Sequence, residues 1–392
     1  MANLAPTINT VSTGYHDISR KNTAKATNVS EDGINNTLKL SQPLFNFGSG
    51  VFGLKAAQNA VKAAMSAYYL AEQNEILNAI NAYLTLIETS KAYDASKTSH
   101  QSAQVIFDSI KAKFEFGLAS VIDVSIAEAN LASYEYNESA ALVAYEGAKG
   151  NFRIFFGDLS MDVTWPDISE DFLNIGLDKF TEKVMSCNYD LLRTKYESIS
   201  KKINSRSSAG AILPSVTFNA EAAHVYNSAQ NDKTNYTLSV TVNAPILNLK
   251  TNSSIRSAKI DSRAAVYTFD QTLKALEQNI TKSWETYYST KVSLAASEKA
   301  VNASQISFDG VSDQYKLGEK SLTDVLQIEQ DLLKAKIQNI TARKNYLLAL
   351  YQMKSIPGDL TAKELGLQVK YFRPEMEFKK MRANVLGVNL SK

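Results

Sequence analysis

The chain repeats itself once, and that repeat limits its fold more than any other feature. Leu40-Ser41-Gln42-Pro43-Leu44-Phe45-Asn46 is echoed by Val242-Asn243-Ala244-Pro245-Ile246-Leu247-Asn248, with Pro43 and Pro245 202 positions apart. Phe116-Gly117-Leu118-Ala119-Ser120-Val121-Ile122-Asp123-Val124 is echoed by Leu317-Gly318-Glu319-Lys320-Ser321-Leu322-Thr323-Asp324-Val325, with the glycines 201 positions apart. Gly157-Asp158-Leu159 and Gly358-Asp359-Leu360 keep the same spacing of 201. Three landmarks holding one offset within a residue mark a duplicated supersecondary unit.

Breakers then divide each copy. No Gly or Pro lies between Gly53 and Gly117, nor between Pro245 and Gly310. These stretches are rich in Ala, Leu, Lys, Glu, Gln and Ser, and at ~1.5 Å per residue they predict helices roughly 90–100 Å long. Gly117 and Gly318 fit the position just past a helix end. Ser120 and Ser321 fit the N-caps of returning helices, with Asp123 and Asp324 three residues on as in a capping box. The returning helices are expected to end near Gly157 and Gly358. On the second, Leu322, Leu326, Leu333, Ile337 and Ile340 form a coiled-coil seam.

The segments before each long helix alternate. Tyr236, Leu238, Val240 and Val242 face one way; Thr237, Ser239, Thr241 and Asn243 face the other. Val216, Phe218 and Ala220 oppose Thr217, Asn219 and Glu221 in the same manner. Small polar residues on one face and apolar ones on the other suit a strand between a wet lumen and lipid. The polar stretches 20–36 and 223–235 are expected to be loops. A helical stretch over 178–209 precedes the second strand pair, and nothing equivalent precedes Ala5-Pro6.

The fold class expected is mainly α with β, as two tandem repeats of a strand pair plus a long helical hairpin. The segments are 1–47, first strand pair; 48–157, first hairpin; 158–210, inter-repeat segment and helix; 211–248, second strand pair; 249–358, second hairpin; and 359–392, a C-terminal segment ending in a solvated tail. Four strands cannot close a barrel, and open edges in lipid strand backbone groups at several kcal/mol each. The chain must therefore pair edges with copies of itself, giving 8, 12 or 16 strands for two, three or four subunits.

The chain has 392 residues with a formal net charge of +2 and a single cysteine, Cys187. That leaves no disulfide within the chain and no strong field for nucleic acid. His16, His100 and His224 are scattered, and no phosphate-binding loop or nucleophile elbow is present. Ser198-Ile199-Ser200-Lys201 fits S-x-x-K but lacks its companion motifs. No catalytic residues, metal or cofactor are expected. The competing soluble coiled-coil rod leaves the alternating strand pairs without a use.

Over nearly its whole length the sequence resembles the TolC-like outer-membrane efflux protein family. The carriers are the junctions at Pro43 and Pro245 and the turns at Gly117-Leu118-Ala119-Ser120 and Gly318-Glu319-Lys320-Ser321. The resemblance implies a homotrimer in outer-membrane lipid, with a 12-stranded transmembrane β-barrel on a periplasmic α-helical barrel. It implies an exit duct for tripartite efflux or type I secretion, working with a periplasmic adaptor and an inner-membrane pump. It also implies a gate ring at Asp324 and at Gln327, where the second acidic position is lost, so cation selectivity is expected to be weaker. Tyr315 and Lys320 match residues that latch neighbouring coils in the closed state, with Asp123 as acidic partner. Lys320 stands where Arg is usual, which loosens the expected latch. Against the family pattern a leader and the first helix of the first repeat are missing, so the chain is expected to be either a trimmed or a shortened form, with weaker helical packing near Asn46.

Overall fold

The computed structural model describes residues 5–21, 27–46, 48–158, 163–227 and 230–383. The duplication is visible directly. Strands β1 (Thr7–Lys21) and β2 (Thr27–Phe45) lead into helix α1 (Ser49–Glu115) and its return α2 (Val121–Phe156). After α3 (Gly176–Cys187) and α4 (Tyr189–Gly210), strands β3 (Ser215–Asn227) and β4 (Gln230–Asn243) lead into α5 (Leu249–Lys316) and its return α6 (Leu322–Ser355). A short α7 (Pro374–Ala383) follows. At 67 and 68 residues, α1 and α5 are each about 100 Å long. No helix among the described residues is long and apolar enough to cross a membrane.

The chain divides into two units, Met1–Ser66 with Leu191–Leu273 and Ala67–Asp190 with Lys274–Lys392. The first unit holds one antiparallel sheet in the order β1-β2-β3-β4. Its register places Ile8, Leu40, Ala220 and Leu238 side by side, and Thr10, Leu38, Ala222 and Tyr236 in the next row outward. Phe218 with Val240, and Val216 with Val242, extend the same face. Tyr236, Leu238, Val240 and Val242 are all more than half exposed. The opposite face carries Thr7, Ser41, Asn219 and Ser239, then Asn9, Lys39, Glu221 and Thr237. The Ser41 hydroxyl donates to Asn219 Oδ1 at 2.9 Å on that face. From Val242 to Tyr236 the apolar band spans about 20 Å of strand. The next row, Ser12, Asn36, His224 and Thr234, is polar and ends it.

Of the expected loops at 20–36 and 223–235, residues 22–26 and 228–229 lie outside the described residues, and the remainder is strand. Pairing runs from Thr7↔Ser41 to Lys21↔Thr27, and β3 pairs β4 as far as Asn227↔Gln230. Asn, Thr and Ser raise turn propensity, but ladder pairing with a neighbouring strand satisfies their backbone groups and overrides it. Within this extension Tyr15 lies across Gly33, and a Cβ on Gly33 would meet the Tyr15 ring at 2.4 Å. The ring covers the gap left by the glycine. Pro43 is also displaced from the expected junction. It pairs with Thr217 inside β2, at an irregularity between Pro43 and Phe45 where a missing N–H is tolerated. Pro245 does lie between β4 and α5. Asn248 caps α5 by accepting from the Thr251 N–H at 3.1 Å. The base of α1 is held by α4, whose Ser200 and Ser207 hydroxyls donate to the Ala56 and Ser49 carbonyls at 2.8 Å.

In the second unit the hairpins zip together along α6. Lys344 pairs with Glu88 of α1 at 3.0 Å, and Thr341 donates to the same carboxylate at 2.9 Å. The Gln330 amide donates to Asn130 of α2 at 2.9 Å. Glu170, between the repeats, accepts from Tyr287 at 2.8 Å and Lys291 at 2.5 Å, and from Tyr346.

Two expectations are corrected here. The stretch 178–209 is two helices, because the chain breaks at Asn188, whose φ of −60° and ψ of 123° are extended. Its amide donates to the Ile356 carbonyl at 2.9 Å. The described part of the segment after 361 is docked rather than a solvated tail. The Ala362 N–H donates to Glu72 at 3.0 Å, Phe372 packs on Tyr68 with centroids 5.2 Å apart, and Tyr69 donates to Glu375 at 2.9 Å. The basic residues conceal the apolar and hydroxyl contacts that hold this segment.

Candidate gate at the hairpin tips

Both tips are built by one local code. Past α1, the Gly117 N–H donates to the Phe114 carbonyl at 2.9 Å and the Leu118 N–H to the Lys113 carbonyl at 2.8 Å. Past α5, Gly318 donates to Tyr315 at 3.0 Å and Glu319 to Gln314 at 2.9 Å. This paired pattern is a Schellman motif, and it needs a left-handed residue between its two bonds. Gly117 and Gly318 supply it, at φ of 74° and 79°.

Three residues after each glycine the return helix starts on a complete capping box. Asp123 Oδ2 accepts from the Ser120 N–H at 2.9 Å and its hydroxyl at 2.7 Å, while Ser120 Oγ accepts from the Asp123 N–H at 3.1 Å. Asp324 and Ser321 repeat the box at 3.0, 2.8 and 3.2 Å. The Ser120 backbone and hydroxyl bonds hold the Asp123 carboxyl below its ordinary value. The Ser321 hydroxyl and backbone do the same for Asp324, helped by the Lys320 charge. Both carboxylates are exposed and ionised at neutral pH.

The two tips share a small core. Ile110 of α1, Ala127 of α2, and Leu322 and Leu326 of α6 are buried together, with Tyr315 and Val124 packed against them. This seals α6 against the first hairpin at its end. Outside the seal, Phe116, Leu118, Val121, Ile122 and Leu317 are each more than 60% exposed. They make an apolar rim around the turns.

The expected latch residues have a different arrangement within one chain. Tyr315 is approached by Lys113, whose Nζ lies 3.4 Å from the hydroxyl and 4.8 Å from the ring centre. Among the described residues Lys320 makes no ion pair with Asp123, whose carboxylate takes both bonds of its own cap. Gln327 donates to Asp331 at 3.4 Å, one turn along α6. Lys113 was missed in the sequence because it precedes the repeated turn and pairs with a residue 202 positions away. The histidines, scattered in the sequence, each find a single carboxylate through the fold. His16 lies 2.5 Å from Asp32 and His100 lies 2.5 Å from Glu138, partners set by strand register and hairpin packing.

A family model described as "Outer membrane efflux protein" matches residues 1–149 and 200–359. The outer membrane efflux protein BepC of Brucella suis biovar 1 (strain 1330) is 25% identical over 380 residues, covering 96% of this chain and 83% of that protein. The outer membrane protein TolC of Escherichia coli (strain K12) is 21% identical over 377 residues, covering 91% of this chain and 74% of that protein. Among solved structures, the Campylobacter jejuni CmeC outer membrane channel superposes with a TM-score of 0.82 at 15% identity, over 97% of this chain and 81% of that one. VceC from Vibrio cholerae does so with a TM-score of 0.78 at 16% identity, over 91% of this chain and 88% of that one.

Proposed function

Because the chain belongs to the outer membrane efflux protein family, we propose that it is one subunit of a homotrimeric exit duct in the outer membrane. It passes drugs or proteins outward from an inner-membrane pump, through a periplasmic helical tunnel gated at the hairpin tips. The family is one of transport channels rather than of enzymes. The observation that carries the reading is the sheet's two-faced register. Four strands share an apolar band on one face and a polar one on the other, while the outer edges of β1 and β4 have no partner among the described residues. In lipid such edges must be paired, and three chains joined edge to edge give a closed barrel of 12 strands.

The tips supply the gate. Asp324 places one negative charge per subunit at the constriction, and Gln327 adds none, so a threefold ring carries weak cation preference. Asp123, Tyr315 and Lys320 act between neighbouring coils, with Lys113 holding Tyr315 in place. The apolar rim of Phe116, Leu118, Val121 and Ile122 is the surface on which a periplasmic adaptor docks. The first test is the protein mass of the detergent-solubilised particle by light scattering. A mass of three chains is expected, and a stable monomer that needs no detergent would overturn the barrel.

A further inference from the structure

The seam between the hairpins buries a carboxylate that the gate does not use. Glu329 of α6 is only 3% exposed. Facing it from α1 is the uncharged Ser102, which hydrogen-bonds to it. Facing it from α2 is Tyr134, itself 1% exposed. On its own helix, Lys336 attracts it, and Asp331 adds a second negative charge that acts on Tyr134. Among the described residues, Glu329 Oε2 has no hydrogen-bond partner, and neither do the Tyr134 hydroxyl and the Asn130 amide nitrogen on α2.

An ionised carboxylate removed from water with an unmated oxygen is costly unless it is paired. Protonation removes the charge and turns the free oxygen into a donor. We propose that Glu329 is a proton-linked catch on the seam: one proton taken from solvent onto its carboxyl tightens α6 against α1 and α2, and returning that proton to water loosens the seam towards separated hairpins. Burial pushes this carboxyl above its ordinary value of 4.5, against the Ser102 hydrogen bond and the Lys336 charge. A group whose value is raised in the packed state stabilises that state most below its ordinary value. The contribution fades as pH rises through the raised value. The tip carboxylates Asp123 and Asp324 shift the opposite way, so they cannot produce this dependence.

The catch rests on the gate reading only for its effect on flow, so the test has two arms. Hydrogen-exchange protection of the α6 amides around Glu329, corrected for intrinsic rate, is measured on the detergent-solubilised full chain between about pH 5 and about pH 8. Protection in the unmodified protein is expected to fall as pH rises, about tenfold for each unit by which the carboxyl is raised. Glu329→Gln, neutral at every pH, is expected to keep high protection throughout. Protection that does not change with pH in the unmodified protein overturns the catch without any variant. So does an unchanged slope in Glu329→Gln. Single-channel conductance over the same range is the second arm. A pH-dependent seam with pH-independent conductance upholds the catch and instead overturns the tip as the gate.

Discussion

At the tips each aspartate caps a helix and, in the proposed gate, also carries a charge, and substitutions separate the two. Asp324→Asn keeps an oxygen that accepts from the Ser321 N–H but removes the charge. It is expected to raise closed-state ion flow and abolish cation preference, read as conductance and reversal potential in a planar bilayer. Asp324→Ala is expected to raise flow further, because the cap is lost with the charge. Ser321→Ala retains the charge and is expected to cost about 1 kcal/mol of local helix stability through the lost cap. Unchanged conductance in both Asp324 variants would sink the ring assignment. The pH dependence has a definite sign. Both tip carboxyls are depressed, so their contribution is present above the ordinary carboxylate value and is lost only as pH falls through the lowered one. Cation preference is therefore expected to persist down to the ordinary aspartate value of 3.8 and to be lost only further below it, as pH falls through the lowered value.

Among the elements, two glycines after returning or outgoing helices differ in what holds them. Gly117 has φ of 74° and nothing within 4 Å of an added Cβ, so Gly117→Ala pays only for the left-handed backbone, about 1 kcal/mol. Gly358 has φ of 95°, and its Cβ would also lie 3.2 Å from the Cys187 carbonyl oxygen. Gly358→Ala is expected to lower the melting temperature of the solubilised particle more than Gly117→Ala does. Equal shifts would mean that the α3 end yields freely. The tip core gives a second expectation at this scale. Leu326 is buried between α6 and the first hairpin. Leu326→Ala is expected to destabilise that packing by about 3 kcal/mol and to raise spontaneous opening. An unchanged open probability would show that this core does not hold the gate shut.

For the whole molecule, assembly follows from what one chain leaves undone. The sheet has an apolar face with nothing packed on it and two outer edges without partners among the described residues. Water-soluble sheets bury one and protect the other. In the proposed trimer, lipid and two further copies of the chain would resolve both at once. Long helices with exposed side chains such as Tyr136, Val143, Tyr267 and Ile306 point the same way, since these residues are more than 70% exposed in the single chain. They are expected to become protected on assembly, which footprinting of the solubilised particle would read directly.

Local code was legible in the linear sequence wherever one residue type answers one backbone demand. Gly117 and Gly318 marked left-handed turns, Ser120 and Ser321 with their aspartates marked helix starts, and alternation around Leu238 marked the strand faces. The offset between repeats carried the architecture, because duplicated units fold alike. What depends on partners distant in sequence could not be read this way. The length of β2 over residues 27–36 was set by pairing with β1 and β3 rather than by turn propensity. The break at Asn188, the docking of Phe372 on Tyr68 and the tie from Lys113 to Tyr315 each need a contact across many residues. The burial of Glu329 is the clearest case. Glutamate on a helix reads as solvated, and only the packing of α1, α2 and α6 around it removes the water that would otherwise keep it charged.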